Sequence, residues 1–328
     1  MRLPFTLFKQ IIPRAMSHWS IHASITCQMH LTFLSGGAVP PGCRVHRPRC
    51  KMNPISFSTL ACPKWPIETI IAKALEFGYD GIEWRGGPQG HIQPDMPTAK
   101  KVLVQQRCSD ANLLSLAVTA YTSFISSSAI ERQANVDELR RYADLAAEIG
   151  ASSVRAFLGE LPEDTKLDTS IYEIISECLT TASKHAEAAG VMIAVEPHDD
   201  FVNSAKVIPL FNPPNSHHLL RVIWDIGNTF AAGENPDQGF ELLKDRLAYV
   251  QVKDGKRYGV SWQLCSIGQG NVPLDQAFEL LLANGYNGAF SVEWEYAWHP
   301  ELDPPEIALP SALRTVQELL TAARPVST

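Results

Sequence analysis

The chain has 328 residues, 45% of them hydrophobic and 19% charged, with a net charge of −7. This is the composition of a globular domain with an ample core, and no stretch of about 18 apolar residues occurs to cross a membrane. Charge is divided unevenly: residues 1–51 hold seven Lys and Arg and no acid, so the remainder carries −14, which argues against a phosphate-backbone partner such as nucleic acid.

Residues 1–51 form a basic extension read as lying outside the fold. Three origins stand open: upstream translation with Met52 as the working start, an organelle transit peptide, or a disordered arm. Pro4 and Pro13 weaken the amphipathic helix that a transit peptide needs. The expected location is cytoplasmic, or mitochondrial if the extension is a transit peptide. The seven cysteines contain no CxxC pair and read as reduced thiols.

From Asn53 onward short strands alternate with helices. Ile55–Leu60 reads as a strand, followed by a helix from Pro66 to Phe77 with Ile67, Ile70, Ile71, Ala74 and Leu75 at helical spacing. Gly78 closes that helix. Gly81–Arg85 is a strand, Ala99–Ala111 a helix, and Leu114–Thr119 a strand. Asn135–Ile149 is a helix closed by Gly150, and Ser153–Leu158 a strand. Thr169–Ala189 is a helix closed by Gly190, and Val191–Glu196 a strand. The Pro-rich segment 201–218 reads as a loop. Leu220–Asp225 and Ala248–Lys253 are strands, Leu274–Ala283 a helix capped by Asn284-Gly285, Ala289–Glu293 the eighth strand, and 308–323 the closing helix. Eight strands alternating with helices predict a single-domain (β/α)8 TIM barrel over residues 52–328.

Three of these strands are apolar runs ending in a carboxylate: Glu196, Asp225 and Glu293. A carboxylate at the end of a buried strand is costly unless a cation compensates it. Three at the C-terminal ends of parallel strands predict one hard-cation site at the barrel mouth. Further candidates are Arg155, His198, Lys253 and Arg257, each on or just beyond a strand. Glu83 and Arg85 read equally well as an inward pair or as functional groups. Glu295 reads as a neighbour of the site rather than a member.

Several motifs then resemble a known family. These are Phe77-Gly-Tyr-Asp-Gly-Ile-Glu-Trp-Arg85, Val195-Glu-Pro-His198, Trp224-Asp-Ile-Gly-Asn228 with Ala232-Gly-Glu234, Val250-Gln-Val-Lys-Asp254, Ile267-Gly-Gln-Gly270 with Val272-Pro-Leu274, and Gly285-Tyr-Asn-Gly288 running into Ser291-Val-Glu-Trp-Glu295. In order and spacing they are similar to the sugar phosphate isomerase/epimerase proteins of the xylose isomerase-like barrel superfamily. The resemblance implies a divalent ion held by Glu196, Asp225, Gln251 and Glu293. It implies Glu196 and Glu293 as an acid/base pair that moves a proton beside a carbonyl through an enediolate. The substrate it implies is a small sugar or cyclic polyol, with Lys253, Arg257, Asn228, His198 and Arg155 near it.

Two positions depart from the family pattern. Gln251 stands where His is usual, and Asn228 where a substrate-side His is common. Three carboxylates and an amide oxygen favour Mn²⁺ or Mg²⁺ over Zn²⁺. The alternatives are a dehydratase of the same superfamily acting on an inosose or 3-dehydroshikimate, or a barrel that has lost metal and catalysis together. A membrane partner is not expected, and a homo-oligomer is left open.

Overall fold

The computed structural model describes residues 53–163, 165–211 and 217–324. The expectations for residues 1–51 lie outside these. Eight parallel strands close a barrel: β1 (Ile55–Ser58), β2 (Gly81–Arg85), β3 (Leu114–Thr119), β4 (Ser153–Ala156), β5 (Met192–Val195), β6 (Leu220–Asp225), β7 (Leu247–Val252) and, after a hairpin, β10 (Phe290–Val292). Pairing runs in chain order and closes β10 onto β1, with Ile55 opposite Phe290. The (β/α)8 barrel expected from the sequence is the fold observed.

Alternation along each strand sorts the side chains. Val154, Ala156, Ile193, Val195, Val222, Trp224, Val250, Val252, Phe290 and Val292 join the large core between barrel and helices. Ala194, Ile223 and Tyr249 belong to a second, smaller cluster. Residues two further along point the same way. Glu196, Asp225 and Gln251 therefore continue the inward rows set by Ala194, Ile223 and Tyr249.

The helices are α1 (Ile67–Phe77), α2 (Thr98–Asp110), α3 (Ala129–Ile149), α4 (Thr169–Ala188), α5 (Ser204–Val207), α6 (Ile226–Ala231), α7 (Pro236–Leu243), α8 (Leu274–Ala283) and α9 (Pro305–Ala322). Gly78 and Gly150 end α1 and α3 in the left-handed conformation, as expected. Helix α3 starts six residues before the predicted Asn135, because the Ser128 hydroxyl accepts the Glu131 N–H and caps a longer helix. Helix α9 starts at Pro305, since proline is tolerated in a first turn.

Segment 201–211 is short turns around α5, in keeping with a loop. Glu234 holds it, accepting the Ser204 N–H at 2.8 Å and the Ser204 hydroxyl at 2.6 Å. That contact gives the Ala232-Gly-Glu234 motif a structural role.

Besides the short helices α6 and α7, an antiparallel hairpin was not foreseen: β8 (Asp254–Tyr258) and β9 (Ser261–Cys265), directly after β7. The buried Asp254 carboxylate anchors it by accepting four backbone N–H groups, from Gly255 and Val272 on Oδ1 and from Gly268 and Gly270 on Oδ2. The Lys-Asp and Ile-Gly-Gln-Gly motifs thus meet through one side chain. Cys62, Cys108, Cys178 and Cys265 are free thiols; the other three cysteines lie outside the described residues.

Candidate active site

At the C-terminal mouth of the barrel, Glu196 follows β5, Asp225 ends β6 and Glu293 follows β10. All three are buried, and each offers a carboxylate oxygen within 4.8 Å of the others. Helix α6 begins on Asp225, whose Oδ1 accepts the Asn228 N–H at 2.8 Å. This leaves Oδ2 for other partners.

Each carboxylate has a cationic or amide neighbour. Arg155 Nη1 donates to Glu196 Oε2 at 2.9 Å, and Asn228 Nδ2 reaches Glu196 Oε1 at 3.3 Å. The Arg155 guanidinium lies over the Phe157 ring at 3.8 Å. Lys253 Nζ lies 3.0 Å from Asp225 Oδ2 and 2.5 Å from Glu293 Oε2, and hydrogen-bonds Glu295 Oε1. The lysine stem passes Gly227 so closely that a Cβ there would collide with Lys253 Cγ. The glycine of the Trp224–Asn228 motif is therefore the space through which the ammonium reaches the carboxylates.

Beneath this group lies a second polar cluster. Glu83, fully buried on β2, accepts from the Tyr249 hydroxyl at 2.8 Å, Gln251 Nε2 at 3.0 Å and the Ser291 hydroxyl at 2.6 Å. Gln251 Nε2 also leans toward Glu293 Oε1 at 3.5 Å. Its Oε1 is buried with no hydrogen-bond partner, as are Asp225 Oδ2 and Glu293 Oε2. The ion pairs of Lys253 with those two carboxylates are close but off the hydrogen-bond direction. Three of the four side chains in the predicted ligand set thus carry a buried oxygen that no N–H or O–H satisfies, where buried polar atoms ordinarily find a partner. Oxygen donors of this kind fit a hard divalent cation.

The electrostatics match this placement. Burial pushes the Asp225 and Glu196 carboxyls above their ordinary range despite Lys253 and Arg155, and the neighbouring acids add to the rise. Burial opposes charge on Glu293 most strongly, but Lys253, Arg155 and Asp225 together outweigh it and hold that carboxyl low. Burial, then the Glu293 charge, lifts Glu83 to about 7.

The other predicted residues are dispersed. His198 Nδ1 bonds Asp199 at 2.8 Å, and its ring lies 4.3 Å from that of Phe157 at the edge of the group. Burial lowers its pKa, but the Asp199 bond and the Glu196 charge outweigh burial and raise it. Arg257 sits on the hairpin, where its contacts are Phe230, the Gly233 turn and Asn271 rather than the carboxylates. Arg85 is inward, buried and stacked on Trp298 at 4.4 Å. The sequence offered no sign of Tyr249 or Ser291 as partners of Glu83, because a lone Tyr or Ser in a strand carries no spacing signal. A second group, Glu187, His217 and His218, precedes β6. It therefore belongs to the opposite end of the strands. A groove of about 870 Å³ between α4 and Pro209–Leu210 contains none of these residues.

Comparison with known proteins bears on the fold and the family. The chain is 24% identical over 241 residues to fructoselysine 3-epimerase of Escherichia coli O157:H7, covering 70% of this chain and 85% of the relative. It is 25% identical over 201 residues to a 3-dehydroshikimate dehydratase of Pseudomonas putida, covering 58% of this chain and 31% of that protein. A crystal structure of the IolI protein with a zinc atom superposes with a TM-score of 0.70 at 17% identity, over 83% of this chain and all of that one. Residues 71–319 match the family model of the xylose isomerase-like TIM barrel, and the chain belongs to that family.

Proposed function

We propose that the protein is a divalent-metal-dependent sugar epimerase or isomerase that moves a proton on a carbon beside a carbonyl. One observation carries the reading. Glu196, Asp225, Glu293 and Glu295 face two cations, Arg155 and Lys253, across a buried mouth. Counting these six side chains alone, with all four carboxylates ionised and apart from the neighbouring Glu83 and His198, the group is two positive charges short, the charge of one divalent ion. The similarity to an epimerase over most of the barrel supports the same reading.

Glu196, Asp225, Glu293 and the carbonyl oxygen of Gln251 would hold the ion. When bound, it would stabilise negative charge developing on the substrate's carbonyl oxygen. Glu196 and Glu293 stand on strands β5 and β10 and supply the two proton-transferring groups that an epimerisation needs. The Lys253 ammonium 2.5 Å from Glu293 Oε2 favours the ionised carboxylate, the form that can take a proton. Glu196 is held on both oxygens, by Arg155 and Asn228, which fixes its direction. Mn²⁺ or Mg²⁺ suits this oxygen-only donor set better than Zn²⁺.

The test is proton exchange itself. Purified protein loaded with Mn²⁺ is incubated in D₂O with a panel of ketoses, and deuterium uptake at carbon is read by NMR. Exchange is expected with at least one ketose, and Glu196→Gln and Glu293→Gln each slow it by about 10²–10⁴-fold. No uptake from any ketose with Mn²⁺, Mg²⁺ or Zn²⁺ refutes the reading. The dehydratase alternative, supported by the Pseudomonas putida relative, predicts instead a new ultraviolet chromophore from 3-dehydroshikimate.

A further inference from the structure

The chain carries its own cation at the place where the proposed function needs a divalent one. Lys253 is 3% exposed. Its ammonium touches two of the three carboxylates in the ligand set, Asp225 and Glu293, and also Glu295, which lies outside that set. These contacts differ in kind. The contact with Glu295 is an aligned hydrogen bond. Those with Asp225 Oδ2 at 3.0 Å and Glu293 Oε2 at 2.5 Å are close ion pairs less well aligned for a hydrogen bond. The directed bond of the ammonium therefore runs to Glu295, while the ligand carboxylates feel chiefly its charge.

Resting on the proposed metal-dependent function, we infer that Lys253 is an internal competitor for the divalent ion, and that Glu295 is a positioning residue that draws the ammonium aside. The Lys253–Glu295 pair then sets the affinity of the site. A positive charge within 3.0 Å of two ligand oxygens repels an arriving cation in a buried setting where screening is weak. Any partner that pulls the ammonium toward the exterior relieves that repulsion. Glu295 is the most exposed of the three carboxylates on Lys253, with 21% of its side chain accessible. It is therefore the partner on the solvent side. Gly227, lacking a Cβ, is what lets the lysine stem pass to this position.

The experiment measures Mn²⁺ binding, by titration calorimetry and by the electron paramagnetic resonance of free Mn²⁺, on wild type, Lys253→Met, Glu295→Gln and the double variant. Lys253→Met keeps an unbranched stem without the charge, and is expected to tighten Mn²⁺ at least about tenfold. Glu295→Gln is expected to weaken it about five- to tenfold, because the ammonium is no longer drawn aside. In the Lys253→Met background the Glu295→Gln effect should shrink to under about twofold, since no ammonium remains to be held. Unchanged or weaker binding by Lys253→Met overturns the inference. So does a Glu295→Gln loss of equal size in both backgrounds, which would mark a plain through-space charge effect. If Lys253→Met does not fold, Lys253→Gln takes its place in the cycle. Should wild type and every variant fail to bind Mn²⁺, Mg²⁺ or Zn²⁺, the functional reading falls and this inference with it. Wild-type binding with the wrong pattern among variants overturns the inference alone.

Discussion

Arg155→Met isolates the energetics of the mouth. Arg155 and Glu196 form a buried pair at 2.9 Å, with side chains 5% and 2% exposed. Methionine keeps an unbranched stem against Tyr121 and Phe157 but leaves Glu196 with one long bond from Asn228. Stranding a buried charge in this way costs about 3–5 kcal/mol. At about 2–4 °C per kcal/mol for a domain of this size, the melting midpoint should fall by roughly 6–20 °C in EDTA at neutral pH. Glu196→Gln alone strands Arg155 and is also destabilising. The double variant should recover at least about 2 kcal/mol relative to the sum, because the singles share one interaction. The loss has a pH signature. Burial already lifts the Glu196 carboxyl, and removing Arg155 lifts it further. A carboxyl with a raised folded-state pKa is protonated more readily in the folded chain. Its cost therefore grows as pH rises above the ordinary carboxylate value and fades below it. Circular dichroism melts across pH 5–8 read this directly. Additive single variants, or an Arg155→Met deficit independent of pH, would refute the pairing argument.

Three other contacts each set a measurable outcome. His91 Nδ1 faces the Thr59 hydroxyl at 3.0 Å, and that hydroxyl also accepts the Arg85 N–H. Burial, helped by the Arg85 charge, holds the His91 pKa at about 4 against an ordinary 6.5. The unfolded chain therefore binds the proton first as pH falls, and stability worth about 3 kcal/mol is lost between pH 6.5 and 4. His91→Gln should flatten that slope in urea melts. Asp254→Ala removes the acceptor of four backbone N–H groups. At about 1 kcal/mol per bond it should cost about 2–4 kcal/mol, and speed proteolytic cleavage near exposed Tyr258 and Val260. Gly227→Ala drives a methyl into the Lys253 stem. It should lower stability by about 1–3 kcal/mol, and most of that loss should vanish in a Lys253→Ala background.

The eight barrel strands were legible because each is a short segment set between helical stretches, three of them apolar runs, and the position of the carboxylate ending each of those three was visible with it. The hairpin was not. Lys256, Arg257, Tyr258 and Val260 have neither a core to face nor a clean alternation, and the signal for the turn rests on Gly259 alone. Helices α6 and α7 were missed for a related reason: at six and eight residues they are too short to show a period. The early start of α3 was readable in principle, since Ser128 with Glu131 three residues on is a capping signature. The partners of the site were least legible. Lys253 meets Asp225, 28 residues earlier, and Glu295, 42 residues later, through barrel closure. Nothing local in the sequence marks those pairings.

Closure also bears on the departure at position 251. Histidine as a ligand and glutamine are both neutral, so the exchange leaves the charge deficit of the mouth unchanged. What changes is the donor atom, and its direction is set from below. Gln251 Nε2 lies 3.0 Å from Glu83 Oε1. Turning the amide over would press its oxygen against that acceptor, so Glu83 holds Oε1 on the other side, where it has no donor. Asn228 behaves similarly. It replaces an imidazole with an amide and still serves two carboxylates, through its N–H to Asp225 and its Nδ2 to Glu196. A barrel relieved of its ion would have only Arg155 and Lys253 to compensate the crowding of Glu196, Asp225 and Glu293. Loss of one of those acids would ease that crowding, and a neutral exchange at 251 or 228 does not. On the proposed reading, the two departures therefore bear on which cation the mouth would prefer, and the presence of all three acids on whether it would take one.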